Sequence, residues 1–213
     1  MKCIFEVSSR TTLAESAEVK HEKLIRFLKT IESPWGIPKD IDIPFPGFGK
    51  EATAILTLNK YLASGVKMTL FYSYRNRLED DSFYDDRIYV EFNSKKIDYT
   101  ELISVVFPQF IKGFCAYTAV IFDQLLIYKD FEDKRFGNNR KIISRVYPVS
   151  FYDETLCKLF FKRSPKKIAD LLQGHVYKSE VFNDGILIIA DTKPFSIVEA
   201  IDFEKKMKVL LGY

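Results

Sequence analysis

Val176-Tyr177-Lys178-Ser179-Glu180-Val181-Phe182-Asn183-Asp184-Gly185-Ile186-Leu187-Ile188-Ile189-Ala190 is the stretch that decides the fold. Two β-rich runs, Val176 to Phe182 and Ile186 to Ala190, flank Asn183-Asp184-Gly185. A tight hairpin turn needs positive φ values, and Asn, Asp and Gly are the residues that tolerate them. Ser164-Pro165 stands before this hairpin, an N-cap followed by proline at the first helical position, and Gly174 fits just past the end of that helix. After it, Ser196-Ile197-Val198-Glu199 opens a C-terminal helix with a capping-box pattern. Helix, hairpin and helix in succession point to α+β.

Working outward, the same signals recur. Met1 to Val7 reads as a first strand. Thr12-Leu13-Ala14-Glu15 has the capping-box pattern, and Ala17, Leu24, Phe27, Leu28 and Ile31 then share one helical face. That helix is expected to end before Pro34, because a residue that precedes proline is pushed out of the helical region. Pro34 to Lys50 holds four of the eight prolines. It is either a functional loop or an ordered crossover wrapped on the core by Trp35, Phe45 and Phe48. Thr53 to Leu58 fits a strand or a helix start. Val66 to Tyr74 and Arg87 to Phe92 alternate as strands do, which makes Arg75 to Asp86 a long hairpin loop.

Asp98-Tyr99-Thr100-Glu101 starts a second helix, which Pro108 should kink or break. Ala116 to Tyr128 reads as β-rich with an interruption at Asp123-Gln124, Asp130 to Lys141 as a loop, and Ile142 to Val149 as a strand. Ser150 to Asp153 is expected to cap a short helix running through Phe160. No regular βαβ rhythm appears, so the fold expected is a single α+β domain over residues 1–213, with a mixed, largely antiparallel sheet and packed helices.

Composition narrows the function classes. Of 213 residues, 47% are apolar, too many for a disordered chain. The 19 Phe and 12 Tyr are expected to form a Phe-rich core with Tyr at its margins. Cys3, Cys115 and Cys157 are widely spaced and without a CxxC pair, which argues against a disulfide framework or a structural zinc and for buried free thiols in a reducing compartment. The N-terminus lacks a signal-peptide apolar region, and Phe114 to Phe122, the most apolar stretch, is too short to span a bilayer. A cytoplasmic location without membrane contact is the expectation.

Catalytic signatures are sparse. His21 and His175 are the only histidines, neither sits in a metal-binding spacing, and a surface or satisfied structural role is expected of each. Pro46 to Glu51 faintly suggests a phosphate loop, but the Gly-x-x-x-x-Gly-Lys spacing is missing and Glu51 stands where a hydroxyl should hold magnesium. No GxSxG elbow marks a nucleophile. Cys157, between Leu156 and Lys158, reads as a buried small apolar residue. No catalytic residue, cofactor or metal is expected. An enzyme of unmarked kind, with its site in the Pro34 to Lys50 loop, is an alternative.

The charge pattern is more informative than the net charge of +3. Leu78-Glu79-Asp80-Asp81-Ser82-Phe83-Tyr84-Asp85-Asp86 carries five acids, two adjacent aromatics and no base. The composition suits docking on a basic protein: the charges steer encounter and an aromatic anchors it. It equally suits a solvated hairpin tip. Basic residues gather in two groups, Lys134, Arg135, Arg140, Lys141 and Arg145, then Lys158, Lys162, Arg163, Lys166 and Lys167. A nucleic-acid binder would want these on one face with stacking aromatics. Neighbouring Asp130, Glu132 and Asp133, and the lack of any RRM, KH or zinc-finger signature, weigh against that alternative.

Val149-Ser150-Phe151-Tyr152-Asp153-Glu154-Thr155-Leu156-Cys157, then Asp184 to Asp191, Pro194-Phe195-Ser196 and Leu210-Leu211-Gly212, form a layout that resembles immunity protein family 52, bacterial immunity proteins of polymorphic toxin systems. Asp98 to Tyr117 is similar in layout too: a helix, a Phe-Pro, then Gly-Phe-x-x-Tyr. The resemblance spans most of the chain. It implies an α+β protein that binds one cognate toxin, of nuclease type, and blocks it by occlusion without a cofactor. The toxin-binding residues expected on the reading of charge are Glu79, Asp80, Asp81, Phe83, Tyr84, Asp85 and Asp86.

Overall fold

A computed structural model describes residues 1–47, 53–75, 80–135 and 137–213. Strand β1 (Lys2–Ser9) leads to helix α1 (Ala17–Leu28), which is capped by Ser16, whose side chain accepts the Val19 N–H at 3.2 Å. Thr12 is therefore not the cap, and Glu15 instead takes an ion pair from Lys23 at 2.6 Å. The meander β2 (Ala54–Thr57), β3 (Val66–Tyr72) and β4 (Asp86–Asn93) follows. Asp98 then caps α2 (Tyr99–Glu101), which passes through a π-turn (Leu102–Val106) into α3 (Phe107–Phe114). Pro108 does not end this run. It sits at the start of α3, and the wide turn before it absorbs the hydrogen bond that a proline cannot make: the Phe107 N–H reaches back to the Leu102 carbonyl.

Strand β5 (Thr118–Asp123) is shorter than its composition suggests. The Asp123 carboxylate accepts the Leu125 N–H at 3.0 Å and turns the chain into helix α4 (Leu125–Glu132), so Leu125 to Tyr128 is helical, not β. Residues 142–148 form no strand either. Ile143 and Val146 are buried and Arg145 is held by ion pairs, so side-chain anchoring replaces a ladder there. Strand β6 (Val149–Asp153) occupies the residues expected to cap a helix, and Asp153 alone keeps the capping role, for α5 (Glu154–Leu156) and the π-turn (Cys157–Phe161) behind it. Residues 164–213 follow expectation. Ser164 caps α6 (Pro165–Leu172), β7 (Lys178–Phe182) and β8 (Gly185–Ile189) form the hairpin, and Asn183 and Asp184 have φ of 46° and 58°. Helix α7 (Ile197–Leu211) has the complete Ser196–Glu199 capping box and ends on Gly212 in the left-handed region.

The strands form one eight-stranded sheet in the order β2-β3-β4-β1-β5-β6-β8-β7, antiparallel at every pairing. The fold is α+β. Alternation along the strands splits the core between two faces. Phe5, Val7, Met68, Leu70, Val90, Phe151 and Leu187 point to one face, under α1 and the α2–α3 run. On the other face, Tyr152, Ile186 and Ile188 meet α6, α7 and the α5 turn, and Ile4 and Phe122 meet Leu126 and Ala200. Over β2, β3 and β4 that second face stays open among the described residues: Ile55 is 65% exposed, Lys67 and Arg87 are exposed, and Phe71 and Tyr89 are half-buried.

Candidate functional site

The acidic segment connects β3 to β4, and Asp81 shapes it. Its carboxylate accepts the Phe83 N–H at 2.8 Å and caps the short turn Ser82–Tyr84. The turn does not project freely. The Asn138 side chain accepts the Ser82 N–H at 3.0 Å and donates to the Asp80 carbonyl at 2.5 Å, and the Asn139 N–H donates to the Ser82 hydroxyl at 3.0 Å. Lys141 reaches Asp80 at 3.1 Å, and the Thr11 hydroxyl donates to the Tyr84 carbonyl at 2.6 Å. The turn at Ser82 is thus docked on the loop 138–141, which carries one end of the first basic cluster.

Asp85 and Asp86 do not belong to any docking face. Both are buried. Asp85 accepts from Arg140 Nε at 2.7 Å and from the Tyr117 hydroxyl. Asp86 is gripped by the Arg75 guanidinium and accepts the Ser73 N–H at 2.9 Å. Burial pushes both carboxyls up, and the arginines and hydrogen bonds oppose that rise. These carboxylates are neutralised within the fold and cannot steer a partner. Glu79 lies outside the described residues. Asp80 is 70% exposed, Asp81 and Tyr84 are half-buried, and the Phe83 ring is 80% exposed, set edge-on to Tyr84 at 5.4 Å. What remains for a partner is an aromatic anchor with two acids beside it.

The remaining arginines of the first basic cluster are also engaged. Arg145 is buried and bonded to Asp130 at 2.7 Å and Glu204 at 2.6 Å. Arg135 bonds the other Glu204 oxygen at 2.5 Å, and the Tyr147 hydroxyl completes the Asp130 carboxylate at 3.0 Å. These arginines tie the 133–147 loop to α4 and α7, which leaves little for phosphate. In the second cluster, Lys158 pairs with Glu154 at 2.9 Å, and Lys162, Lys166 and Lys167 are exposed.

Arg10 and Arg75 carry no sequence signal of their own, and Tyr117 stands out only as the end of the Gly-Phe-x-x-Tyr layout. Arg10 lies over the Tyr117 ring at 4.3 Å and pairs with Asp153, which extends the network from Asp85 to the cap of α5. Asp86 did carry a signal: it shares the parity of Ile88, Val90 and Phe92, the inward residues of β4.

His21 is the satisfied structural residue expected. Nε2 donates to the Ile43 carbonyl at 2.7 Å, so the other nitrogen, Nδ1, accepts from the Tyr72 hydroxyl at 3.0 Å, and burial holds the imidazole below its usual pKa. Cys3 and Cys157 are buried, and burial pushes the Cys157 thiol up to about 12, far from a reactive thiolate. Cys115 departs from expectation: it is exposed, in the left-handed cap of α3. The loop after Pro34 is a crossover, with Trp35, Ile37 and Ile43 buried and Trp35 edge-on to Phe92 at 5.3 Å. Phe48 and most of the faint phosphate-loop stretch, residues 48–51, lie outside the described residues.

Beside Phe83 a shallow cavity of about 290 Å³ opens, with Ser8, Asp81, Arg87, Tyr117 and Asn139 in its wall. A partner side chain inserted there would meet the ring and Asp81. Comparison of the sequence with family models and with curated proteins gives no match.

Proposed function

We propose that this chain is a binding protein of the immunity type, which neutralises a cognate toxin by covering its active surface, with Phe83 as the anchor. One observation carries the proposal: a phenylalanine is held out in solvent on a turn that is fixed from both sides. An exposed Phe on a fixed backbone loses little entropy on binding, and such preorganised aromatics are typical interface anchors. Asp80 is shared with Lys141, so the acid that adds to the anchor toward a basic partner is chiefly Asp81. The occlusion mechanism and the toxin itself come from the resemblance in motif layout; the docking point comes from the exposed ring and its pinned turn.

The test is co-expression and pull-down with the product of the gene immediately upstream, scored for growth rescue. Rescue with a stable complex, lost in Phe83→Ala, is the expected result. Replacement of Asp80 and Asp81 by Asn should slow association and flatten its salt dependence. A folded pair that neither associates nor restores growth would remove the toxin reading, and a complex indifferent to Phe83→Ala would remove this anchor.

A further inference from the structure

Glu6 lies at the middle of β1, on the sheet face opposite α1, between Tyr89 of β4 and Val120 of β5. It is half-buried and makes no hydrogen bond or ion pair with the described residues. That sets it apart from the buried carboxylates Asp85, Asp86 and Glu204, each of which is held by an arginine. A half-buried carboxylate left without a partner in the fold is a ready acceptor for a donor from outside.

Above Glu6 the 139–147 loop leaves a cavity of about 100 Å³. Val120, Ile142, Ile143 and Leu156 give it an apolar wall, and Tyr147, stacked on Phe122 at 4.6 Å, gives it an aromatic one. Ser8 and Thr118 add hydroxyls. Arg145 forms part of the cavity wall and Arg87 lies near, and neither fills the acceptor. Arg145 is committed to Asp130 and Glu204. Arg87, which draws on Glu6 at longer range, has its guanidinium over the Phe71 ring at 5.4 Å. The cavity shares Ser8 and Asn139 with the one beside Phe83, so the two adjoin.

We infer that this cavity is a recognition pocket for a guanidinium or ammonium group on a short apolar stem, with Glu6 as the charge acceptor and the Tyr147 side as the wall along which the stem lies. Apolar walls take the methylenes, the aromatic rings favour a cation, and the carboxylate fixes its head. Burial pushes the Glu6 carboxyl up and Arg87 opposes that rise at longer range, so a bound cation would supply the partner that holds the carboxylate ionised, and an anion would not. The nearest source of such a group is an arginine or lysine of a protein docked on Phe83. That assignment of the source rests on the function proposed above; the pocket's chemistry does not.

The test is an NMR titration of the full chain with ethylguanidinium, with acetate as the anionic control. Saturable shifts are expected at the Glu6, Val120 and Ser144 amides with ethylguanidinium and not with acetate. Glu6→Gln keeps the shape of the side chain and should weaken the response by about tenfold or more, the size expected for loss of one charge-assisted hydrogen bond. Thermal unfolding of that variant checks that it is folded. Absence of saturable shifts in the wild-type chain, or an unchanged response in folded Glu6→Gln, would overturn the pocket. Phe83→Ala should leave the ethylguanidinium response intact, which keeps this test separate from that of the partner; its loss there would move the cation to the Phe83 cavity and also overturn the assignment. Nα-acetyl-arginine N-methylamide distinguishes the two sources. Its binding assigns the pocket to a protein side chain, and its exclusion while ethylguanidinium binds assigns it to a free small amine.

Discussion

Arg140 grips the carboxylate of Asp85 with two nitrogens, at 2.7 and 2.6 Å, and joins segments 55 residues apart. The pair ties the β3–β4 connection to the loop before β6, and Tyr117 and Thr11 close around it. In sequence the acids and the bases look like two surfaces waiting for partners. In the fold Asp85 and Asp80 take Arg140 and Lys141, while Asp86 takes Arg75 and the remaining arginines of the cluster take Asp130 and Glu204.

Removal of one member of the pair should therefore be severe. Arg140→Ala leaves Asp85 buried beside Tyr117 without its cation and should cost about 3–5 kcal/mol, the range for breaking a buried pair. Asp85→Leu with Arg140→Met removes both charges and should cost less than the sum of the single variants. Denaturant unfolding of the four proteins measures the coupling. Additive losses would show that the pair contributes nothing specific.

Phe83 should behave in the opposite way. Its ring is outside the core, so Phe83→Ala should change stability by no more than about 0.5 kcal/mol. Phe151→Ala, at a fully buried position, should cost about 3–5 kcal/mol. Toward the proposed partner the order should reverse: if Phe83 is the anchor, its loss should weaken binding by about 2 kcal/mol or more. Calorimetric unfolding and binding titration together read both axes. A large stability loss in Phe83→Ala would mean that the ring packs in solution and is no anchor.

The elements that were legible in the sequence are those fixed by local chemistry. Asn183-Asp184 had to adopt positive φ, and Ser196 with Glu199 had to cap a helix, whatever surrounded them. Those that were not legible depend on distant residues. Ile142 to Val149 has a strand's composition, but Arg145 is claimed by Asp130 and Glu204, and the chain leaves the ladder. Thr12-x-x-Glu15 has the cap pattern, but the helix starts one turn later on Ser16, and Glu15 pairs with Lys23 instead. For the candidate site, the exposure of Phe83 fits its acidic setting, while Asp85 is spent on an arginine that only the folded chain brings near.

His21 makes stability depend on pH. Its imidazole is neutral, donating to Ile43 and accepting from Tyr72, and burial lowers its pKa although Glu22 and Asp42 pull it up. The unfolded chain takes up this proton near pH of about 6.5, before the folded chain does. The contribution of His21 is thus complete above that pH and is lost as the pH falls below it. His21→Gln has nothing to titrate there. Denaturant unfolding between pH 8 and about 5 should show the wild-type chain losing more stability than His21→Gln on acidification. Parallel profiles would mean that the imidazole is charged or solvated.

Gly185 and Gly174 test two different needs for glycine. At Gly185, where β8 meets Asp153 of β6, a Cβ would stand 2.3 Å from the Tyr152 carbonyl oxygen and 2.6 Å from the Phe151 ring. Its lack of a side chain serves close strand approach, so any larger residue forces the ladder apart, and Gly185→Ala should cost about 1–3 kcal/mol. At Gly174 nothing lies within 4 Å, but φ is +77°. There the cost of alanine is backbone strain, roughly 1–2 kcal/mol. Asparagine tells them apart, because it tolerates the left-handed region but is larger than alanine. Gly174→Asn should recover much of what Gly174→Ala loses, whereas Gly185→Asn should be worse than Gly185→Ala, as thermal unfolding of the four variants would show.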